Sequence, residues 1–225
     1  MPAMELAHAI TSRRMVRSYD PHRPVPVDVL RACVDAATRA PSAGFTQGWD
    51  FVVLDQPEDV RLFWELTTAG EAPDSWLAGM MTAPALVVCC SDPEAYLERY
   101  ARPDKGWTDR DPARWPIPYW DVDTGMAAML ALLTAVDAGV GACFFGVPTP
   151  RHTAVKEGLG IPADRRIVGV ISLGYAAPVI TRTPRSPSRP RRREVAEVVH
   201  WGRFGGSAAP GDTAVSEDRE PPRAP

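Results

Sequence analysis

The segment at residues 85–90, Ala-Leu-Val-Val-Cys-Cys, is the feature that most limits how this chain can fold. All six side chains are apolar, whereas a strand with one face in water alternates apolar and polar residues. The segment therefore predicts a strand that is buried on both faces in the centre of a sheet.

Three more strands are predicted from apolar runs at residues 51–55, 139–146 and 167–175. Between the runs, apolar residues recur at helical spacing, most extensively in the segment that ends at Gly139. Asp121 or Asp123 is predicted to cap this long helix. Its apolar residues lie on several sides, which indicates a helix that is buried centrally or that lies at a subunit interface.

The composition is typical of a globular protein, and the net charge does not indicate a strongly charged partner. The 225 residues carry a net charge of -3, which gives no global attraction to nucleic acid or to an anionic membrane. We expect one domain at 1–204 and a disordered tail at 205–225, where large apolar residues are almost absent. No segment approaches the roughly 18 consecutive apolar residues that span a bilayer, so a cytoplasmic location is expected.

The cysteines give no sign of a metal site. Cys33, Cys89, Cys90 and Cys143 form neither a CxxC pair nor a metal-ligand spacing, and three of them lie inside apolar runs. They are expected to be buried, reduced thiols.

The segment Ala40–Phe51 connects a predicted helix to a predicted strand. Pro41 must end the helix, because it lacks an N–H group and disfavours helical geometry at the residue before it. Small residues then allow a ligand to approach the backbone, and Ser42, Thr46 and Gln47 offer hydrogen-bonding groups. An ordinary helix-to-strand turn is the alternative, and the segment alone does not separate the two interpretations.

Two clusters of arginine lie near the ends of the chain. The first consists of Arg13, Arg14 and Arg17, and its side chains suit phosphate, which arginine binds with two hydrogen bonds at once. A basic helix end in water is the alternative. The second cluster lies at residues 189–193, before a short helical pattern at 195–200. It is too short, and too poor in aromatic neighbours, to favour nucleic-acid binding.

The segment at residues 102–120 has no period and is rich in proline, aspartate, arginine and tryptophan. Its aromatic residues could form a wall over a substrate or could anchor the segment to the domain. The glycines at 139–146 do not match a dinucleotide fingerprint. The four histidines form no recognisable catalytic group.

Three separated segments resemble the nitroreductase family of flavin enzymes. They are Ser-Arg-Arg-Met-Val-Arg-Ser-Tyr-Asp at 12–20, Ala-Pro-Ser-Ala-Gly-Phe-Thr-Gln-Gly-Trp-Asp-Phe at 40–51, and the arginine-rich run that leads into residues 197–204. The resemblance covers about the first 205 residues. It implies an α+β fold with a central mixed sheet surrounded by helices, an extended C-terminal arm, a homodimer, and one FMN in each of two clefts between the subunits.

The resemblance also implies an activity and a cofactor site. NAD(P)H would reduce FMN, and a nitroaromatic, a quinone or a similar small-molecule acceptor would then take the electrons in a ping-pong scheme. The protein would orient the flavin and tune its electronics, so no catalytic residue and no metal is expected. No nucleic-acid or membrane partner is implied.

The implied cofactor contacts fall into groups by the part of FMN that they would hold. Arginines would bind the phosphate and ribityl chain, the 40–51 segment would line the isoalloxazine with two residues from the other subunit, and the end of the third strand would lie near the flavin N5. In that order, the residues are Arg13, Arg14, Met15, Arg17, Arg191 and Arg192; then Pro41, Ser42 and Gln47; then Phe144, Phe145 and Gly146.

The chain departs from the family at three positions. Phe45 and Gly48 stand where many members have Asn and Pro, and Met15 stands where Ser is common. Phe45 and Met15 motivate an alternative function, a non-catalytic protein that binds or stores a flavin or deazaflavin. A protein that uses its basic C-terminal arm to bind a partner is a further alternative.

Overall fold

A four-stranded antiparallel sheet forms the centre of the fold, with the strands in the order β1-β2-β4-β3. The computed structural model describes residues 4–178 and 191–206. These residues fall in two compact units, with the division after Thr183, and the sheet belongs to the first. The strands are β1 (Trp49–Leu54), β2 (Ala85–Ser91), β3 (Gly141–Phe145) and β4 (Arg166–Gly174).

Seven α-helices surround the sheet in the described part of the chain. They are α1 (Leu6–Ser12), α2 (Val27–Ala37), α3 (Pro57–Thr68), α4 (Ser75–Met80), α5 (Pro93–Ala101), α6 (Tyr119–Asp137) and α7 (His152–Gly158). Proline begins α3 and α5, where its missing N–H group costs no hydrogen bond. The α+β class is confirmed. The sheet expected to be mixed is antiparallel in all its strand pairs among the described residues, and an isolated parallel bridge joins Met15 to Ala142 at its edge.

The strand β2 is buried along its whole length, which confirms the central position predicted for residues 85–90. Its side chains alternate between two cores, as the pleat of a strand requires. Val87 and Cys89 pack with α2 and α6 on one face. Leu86 and Val88 pack with α3, α4 and α7 on the other. The sheet is therefore covered on both faces.

The predicted cap of the longest helix is wrong. The helix α6 begins at Tyr119, after Pro118, and no side chain caps it. Asp121 and Asp123 lie inside its first turns, where they bind groups from other elements. Asp121 accepts hydrogen bonds from Ser91 and Arg166, and Asp123 accepts one from the backbone of Ala43. The two carboxylates therefore bind groups from other elements and do not cap α6.

The described part of the second unit is short. Val195–Glu197 form a 3-10 turn, and the side chains of Glu194 and Glu197 close a capping box at its start. The predicted extended arm falls largely on 179–190 and the predicted disordered tail largely on 207–225, both outside the described residues. The boundary at 204 stays a prediction. Within the described ranges no helix has the length and apolar character needed to cross a membrane.

Candidate functional site

The first arginine cluster lies against the edge strand β3. Arg13 directly follows α1, and its backbone N–H donates to Ala9 at the helix end. Two residues later, Met15 pairs with Ala142, and the N–H of Val16 donates to the Ala142 carbonyl at 2.9 Å. These backbone contacts place the cluster beside the strand that ends in the predicted contacts Phe144, Phe145 and Gly146.

Two arginines of this cluster converge near Cys143 of β3. Burial raises the pKa of the Cys143 thiol, and the nearby charges of Arg17 and Arg13 oppose that rise. Nη1 of Arg13 is buried and has no hydrogen-bond partner in the described protein. Arg17 and Arg14 are exposed.

A buried guanidinium N–H without an acceptor is unfavourable by about 1–3 kcal/mol. An oxyanion bound there would supply the acceptor, and two positive charges would attract it. The arrangement at β3 therefore fits the phosphate of a cofactor, which is the group that the arginine pattern predicted.

The aromatic residues at the end of β3 are turned into the two cores. The Phe145 ring stacks on Trp64 at 5.6 Å with an interplanar angle of 11°. The Phe144 ring covers Gly169, where an added Cβ would lie 2.3 Å from the ring. Gly146 follows with an exposed backbone. Most of what β3 offers a ligand is therefore main chain, and the two rings hold that main chain in place.

The loop at residues 42–48 forms a second candidate surface and has an unusual backbone. Gly44, Phe45 and Gln47 all have left-handed conformations, with φ of 62°, 54° and 55°. For Phe and Gln such a conformation costs on the order of 1–3 kcal/mol and persists only where the surroundings hold it. Within the loop, Oγ of Ser42 accepts a hydrogen bond from the N–H of Gln47 at 2.9 Å.

Two helices hold this loop from outside. Oδ2 of Asp123, on α6, accepts from the N–H of Ala43 at 2.8 Å and from the Tyr96 hydroxyl at 2.7 Å. Nε of Arg99, on α5, donates to the Gly44 carbonyl at 2.9 Å. Asp123 and Tyr96 are almost completely buried, so their bond to the loop is shielded from water.

Gly48 ends the loop at a close approach to α5. A Cβ at this position would lie 2.5 Å from Cε2 of Tyr96 and 3.0 Å from the carbonyl oxygen of Asp92. The Gly48 carbonyl also accepts a hydrogen bond from the N–H of Asp92 at 3.0 Å. This packing explains why the chain departs from the family's frequent proline here, since the larger residue would collide with a buried ring.

The aromatic residues of the 102–120 segment pack on one another. Trp115 lies at the centre, with its ring centroid 4.6 Å from Tyr100, 5.4 Å from Trp107 and 5.9 Å from Trp120. These contacts join the segment to α5 and α6. Of the two interpretations of the sequence, they favour aromatic anchors over an open aromatic wall.

The structure brings some of the predicted site residues together and leaves others apart. Arg13, Met15 and Arg17 lie beside β3, whereas Ser42 and Gln47 lie on the loop. No hydrogen bond or ion pair joins these two groups within residues 4–178. Met15 packs its side chain against both cores. The exposed Pro41 begins the loop.

The predicted arginines of the C-terminal arm lie in the second unit. Arg191 is bound by two carboxylates, those of Glu194 at 3.2 Å and Glu197 at 2.6 Å. Arg192 is exposed and makes no ion pair or side-chain hydrogen bond within the described residues. Their part in the anion site stays a prediction.

The residues that hold the loop carry no signal for that role in the sequence. Asp123 lies 80 positions from its partner Ala43, and Arg99 lies 55 positions from Gly44. Neither residue belongs to a motif: the sequence marks Asp123 only as one of two predicted helix caps, and Arg99 lies at an ordinary polar position of a helix. No signal in a single sequence connects them to the loop.

The fold and these residues define an α+β protein with a cluster of arginines at a sheet edge and a hydrogen-bonded loop between α2 and β1. The model of the nitroreductase family matches residues 10–175, and the chain belongs to that family. A relative from Archaeoglobus fulgidus, whose name joins NADH dehydrogenase and NAD(P)H nitroreductase, is 30% identical over 173 residues, which are 76% of this chain and 85% of the relative. Iodotyrosine deiodinase from Drosophila melanogaster is 25% identical over a region that covers 77% of this chain and 63% of that relative.

Solved structures share the fold at lower identity. A structure from Exiguobacterium sibiricum, determined in complex with FMN, superposes with a TM-score of 0.66 at 20% identity and covers 89% of this chain and 99% of its own. A nitroreductase family protein from Clostridium difficile superposes with a TM-score of 0.64, also at 20% identity, over 89% and 99% of the two chains.

Proposed function

We propose that this chain is an FMN-dependent oxidoreductase that passes electrons from NAD(P)H to a nitroaromatic, a quinone or a similar acceptor. The observation that carries the proposal is the buried, unpartnered Nη1 of Arg13, with Arg17 beside it. A site of two arginines next to an edge strand matches the need of a flavin mononucleotide phosphate.

Each part of the site then has a task. Arg13, Arg14 and Arg17 hold the phosphate and ribityl chain, with Arg191 or Arg192 as a further contact. Ser42 and Gln47 lie on a loop that α5 and α6 keep rigid, which suits the edge of a planar ring. FMN, when bound, supplies the redox chemistry that links NAD(P)H to the acceptor in a ping-pong scheme.

A homodimer is part of the proposal, because one face of α6 is apolar and exposed. Val122, Met126 and Met129 lie at helical spacing and are 38%, 39% and 44% exposed. Leu6 and Ile10 of α1, a helix that packs near α6, are also exposed. A second copy that covers this surface would bury it. In the proposed homodimer, Pro41 and Ser42 of one subunit line the flavin that the arginines of the other subunit hold.

The names of the relatives support the donor and the cofactor. The Archaeoglobus fulgidus relative is named for NADH and NAD(P)H, and the Exiguobacterium sibiricum structure contains FMN. The choice between NADH and NADPH is left open by these names.

The direct test is an absorbance spectrum of the purified protein, with mass identification of the released chromophore. We expect flavin bands, one FMN per chain, and bleaching of the bands when NADH or NADPH is added without oxygen. A colourless protein that fails to take up FMN in a fluorescence titration would refute the proposal.

A non-catalytic protein that binds or stores a flavin or deazaflavin is the second candidate. It is favoured by Phe45, which exposes an apolar ring where many family members carry a polar amide. Rapid NAD(P)H oxidation with any acceptor would exclude it. Release of a deazaflavin in place of FMN would support it.

A further inference from the structure

A cleft of about 440 Å³ opens next to the rigid loop. One wall is Gly44–Thr46. The opposite wall is formed by α5 and the residues that follow it. The lining residues of this wall are Ala95, Glu98, Arg99, Arg102 and Asp104. Ser42 and Gln47, which we propose as flavin contacts, flank Gly44–Thr46 in the chain, so one loop carries both the cleft wall and the proposed flavin contacts.

Phe45 presents an aromatic ring to the cleft. The side chain is 76% exposed, although it is large and apolar. Its backbone has a left-handed conformation that Phe rarely adopts. The N–H of Ala43 donates to Asp123, and Arg99 donates to the carbonyl of Gly44. These hydrogen bonds hold the residues before Phe45, so the position of Phe45 is imposed by its neighbours. A rigid aromatic face held in water is suited to stacking against a planar ligand.

Arg102 is the one charged residue of the cleft wall that has no ion-pair partner within the described residues. The wall carries two arginines and two carboxylates, so its net charge is zero. Both carboxylate oxygens of Asp104 bind Arg99, at 2.9 and 2.8 Å, and Glu98 lies 3.7 Å from Arg110, which Glu94 binds at 2.6 Å. Arg102 is exposed, so its guanidinium is available to an anionic group.

We propose that this cleft binds a planar aromatic anion, with its ring against Phe45 and its acidic group on Arg102. As the acceptor subsite of an oxidoreductase, the assignment rests on the proposed function and narrows its acceptors to aromatic acids. The loop is then shared by two ligands: the cofactor contacts Ser42 and Gln47, and the acceptor contacts Phe45.

The proposal is tested by binding of two redox-inert probes, 2-naphthoate and 2-naphthamide, to the purified protein by isothermal titration calorimetry. The probes share a ring system and differ in charge. We expect the acid to bind about three- to fivefold more tightly, the range of an exposed ion pair. Arg102→Gln should remove the preference for the acid. Phe45→Leu should raise the Kd of both probes by about three- to tenfold, because stacking on the ring is lost.

Arg61→Gln is the matched control, because Arg61 is an exposed arginine on α3 outside the cleft. It should leave both affinities unchanged. Equal binding of the two probes by the wild type, an undiminished preference in Arg102→Gln, or undiminished binding in Phe45→Leu would each overturn the assignment.

A kinetic measurement places the cleft in the reaction. With NAD(P)H as donor, 4-nitrobenzoate should have a lower KM than 4-nitrobenzamide, and Arg102→Gln should make the two KM values equal.

The experiments distinguish a failure of the proposed cleft from a failure of the proposed function. Protein without flavin that still prefers 2-naphthoate would refute the oxidoreductase and leave the binding site, whereas protein with FMN and no preference would refute the cleft alone.

Discussion

The carboxylate of Asp123 and the backbone N–H of Ala43 form a hydrogen bond of 2.8 Å across 80 positions of the chain. The same oxygen accepts from the hydroxyl of Tyr96 at 2.7 Å. One buried atom on the central helix thus joins α5 and α6 to a loop with three left-handed residues. Burial and the hydrogen bond to Asp123 both raise the pKa of Tyr96, so the phenol stays protonated and acts as a donor.

Replacement of Asp123 by alanine should loosen the loop. The amide of Ala43 and the hydroxyl of Tyr96 would lose their acceptor, at a cost of about 1–3 kcal/mol. Amide hydrogen exchange at residues 43–48 should accelerate by about tenfold or more, and FMN affinity should fall. Asp121→Ala is the matched control, since Asp121 lies on the same turn but binds Ser91 and Arg166. Unchanged exchange at 43–48 in Asp123→Ala would contradict this role.

Gly48→Ala should destabilise the protein by about 1–3 kcal/mol, as expected when a methyl group enters packed space. The new Cβ would lie 2.5 Å from Cε2 of Tyr96, whose ring is fully buried. Urea unfolding measures the loss. Gly125→Ala is the control, because nothing lies within 4 Å of a Cβ there and alanine favours a helix by about 0.5–1 kcal/mol over glycine. Equal effects of the two substitutions would argue against the close approach.

Removal of either arginine beside β3 should weaken FMN binding. Loss of a charge-assisted phosphate contact costs about 1.5–3 kcal/mol, so Arg13→Ala and Arg17→Ala should each raise the Kd for FMN by tenfold or more. Fluorescence titration measures this change. Arg61→Ala is the control, because Arg61 is an exposed arginine on α3, and this variant should bind FMN with the affinity of the wild type. Unaltered affinity in both site variants would place the phosphate elsewhere.

The buried thiols should make the protein unstable at high pH. All four cysteines are free and buried, which confirms the prediction of buried, reduced thiols. Burial raises the pKa of Cys33 and of Cys90 from 9.0 to about 11. Because the folded pKa is the higher one, the stabilisation is complete below about pH 9 and is lost as the pH rises through 11.

We expect a loss of about 2 kcal/mol of unfolding free energy per thiol across this range. Urea unfolding at pH 8, 9, 10 and 11 measures it. Cys33→Ala should be less stable at pH 8, because it leaves a cavity, but should lose less between pH 9 and 11 than the wild type. The same loss in both proteins would show that the thiol does not contribute.

Met129→Glu should dissociate the proposed homodimer. Met129 is 44% exposed on α6, in line with Val122 and Met126. A charge placed in an interface between two copies would be buried without a partner, which costs several kcal/mol. Analytical ultracentrifugation should show a dimer for the wild type and a monomer for the variant, and Arg61→Glu should remain dimeric. A wild-type monomer would refute the dimer.

The sequence by itself determined the features that depend on local patterns. The apolar run at 85–90 predicts a central strand because a strand buried on both faces has no polar positions, and β2 is buried along its whole length. Pro57 and Pro93 mark the starts of helices, because an α-helix accepts proline without loss of a hydrogen bond only in its first turn. The arginine motif predicts an anion site because its residues are adjacent in the chain.

Tertiary structure alone decided how distant residues meet. The sequence predicts Asp121 or Asp123 as a local cap, but packing of α6 against α5 and the loop gives the carboxylate of Asp123 two buried donors, which bind more strongly than a cap exposed to water. In the same way, the ring of Phe145, a predicted flavin contact, stacks on Trp64, and this partner is set by the packing of α3 against β3. Local patterns reflect the neighbours of a residue in the chain, whereas the partner of a buried polar or aromatic group is set by which elements the fold brings within a few ångströms.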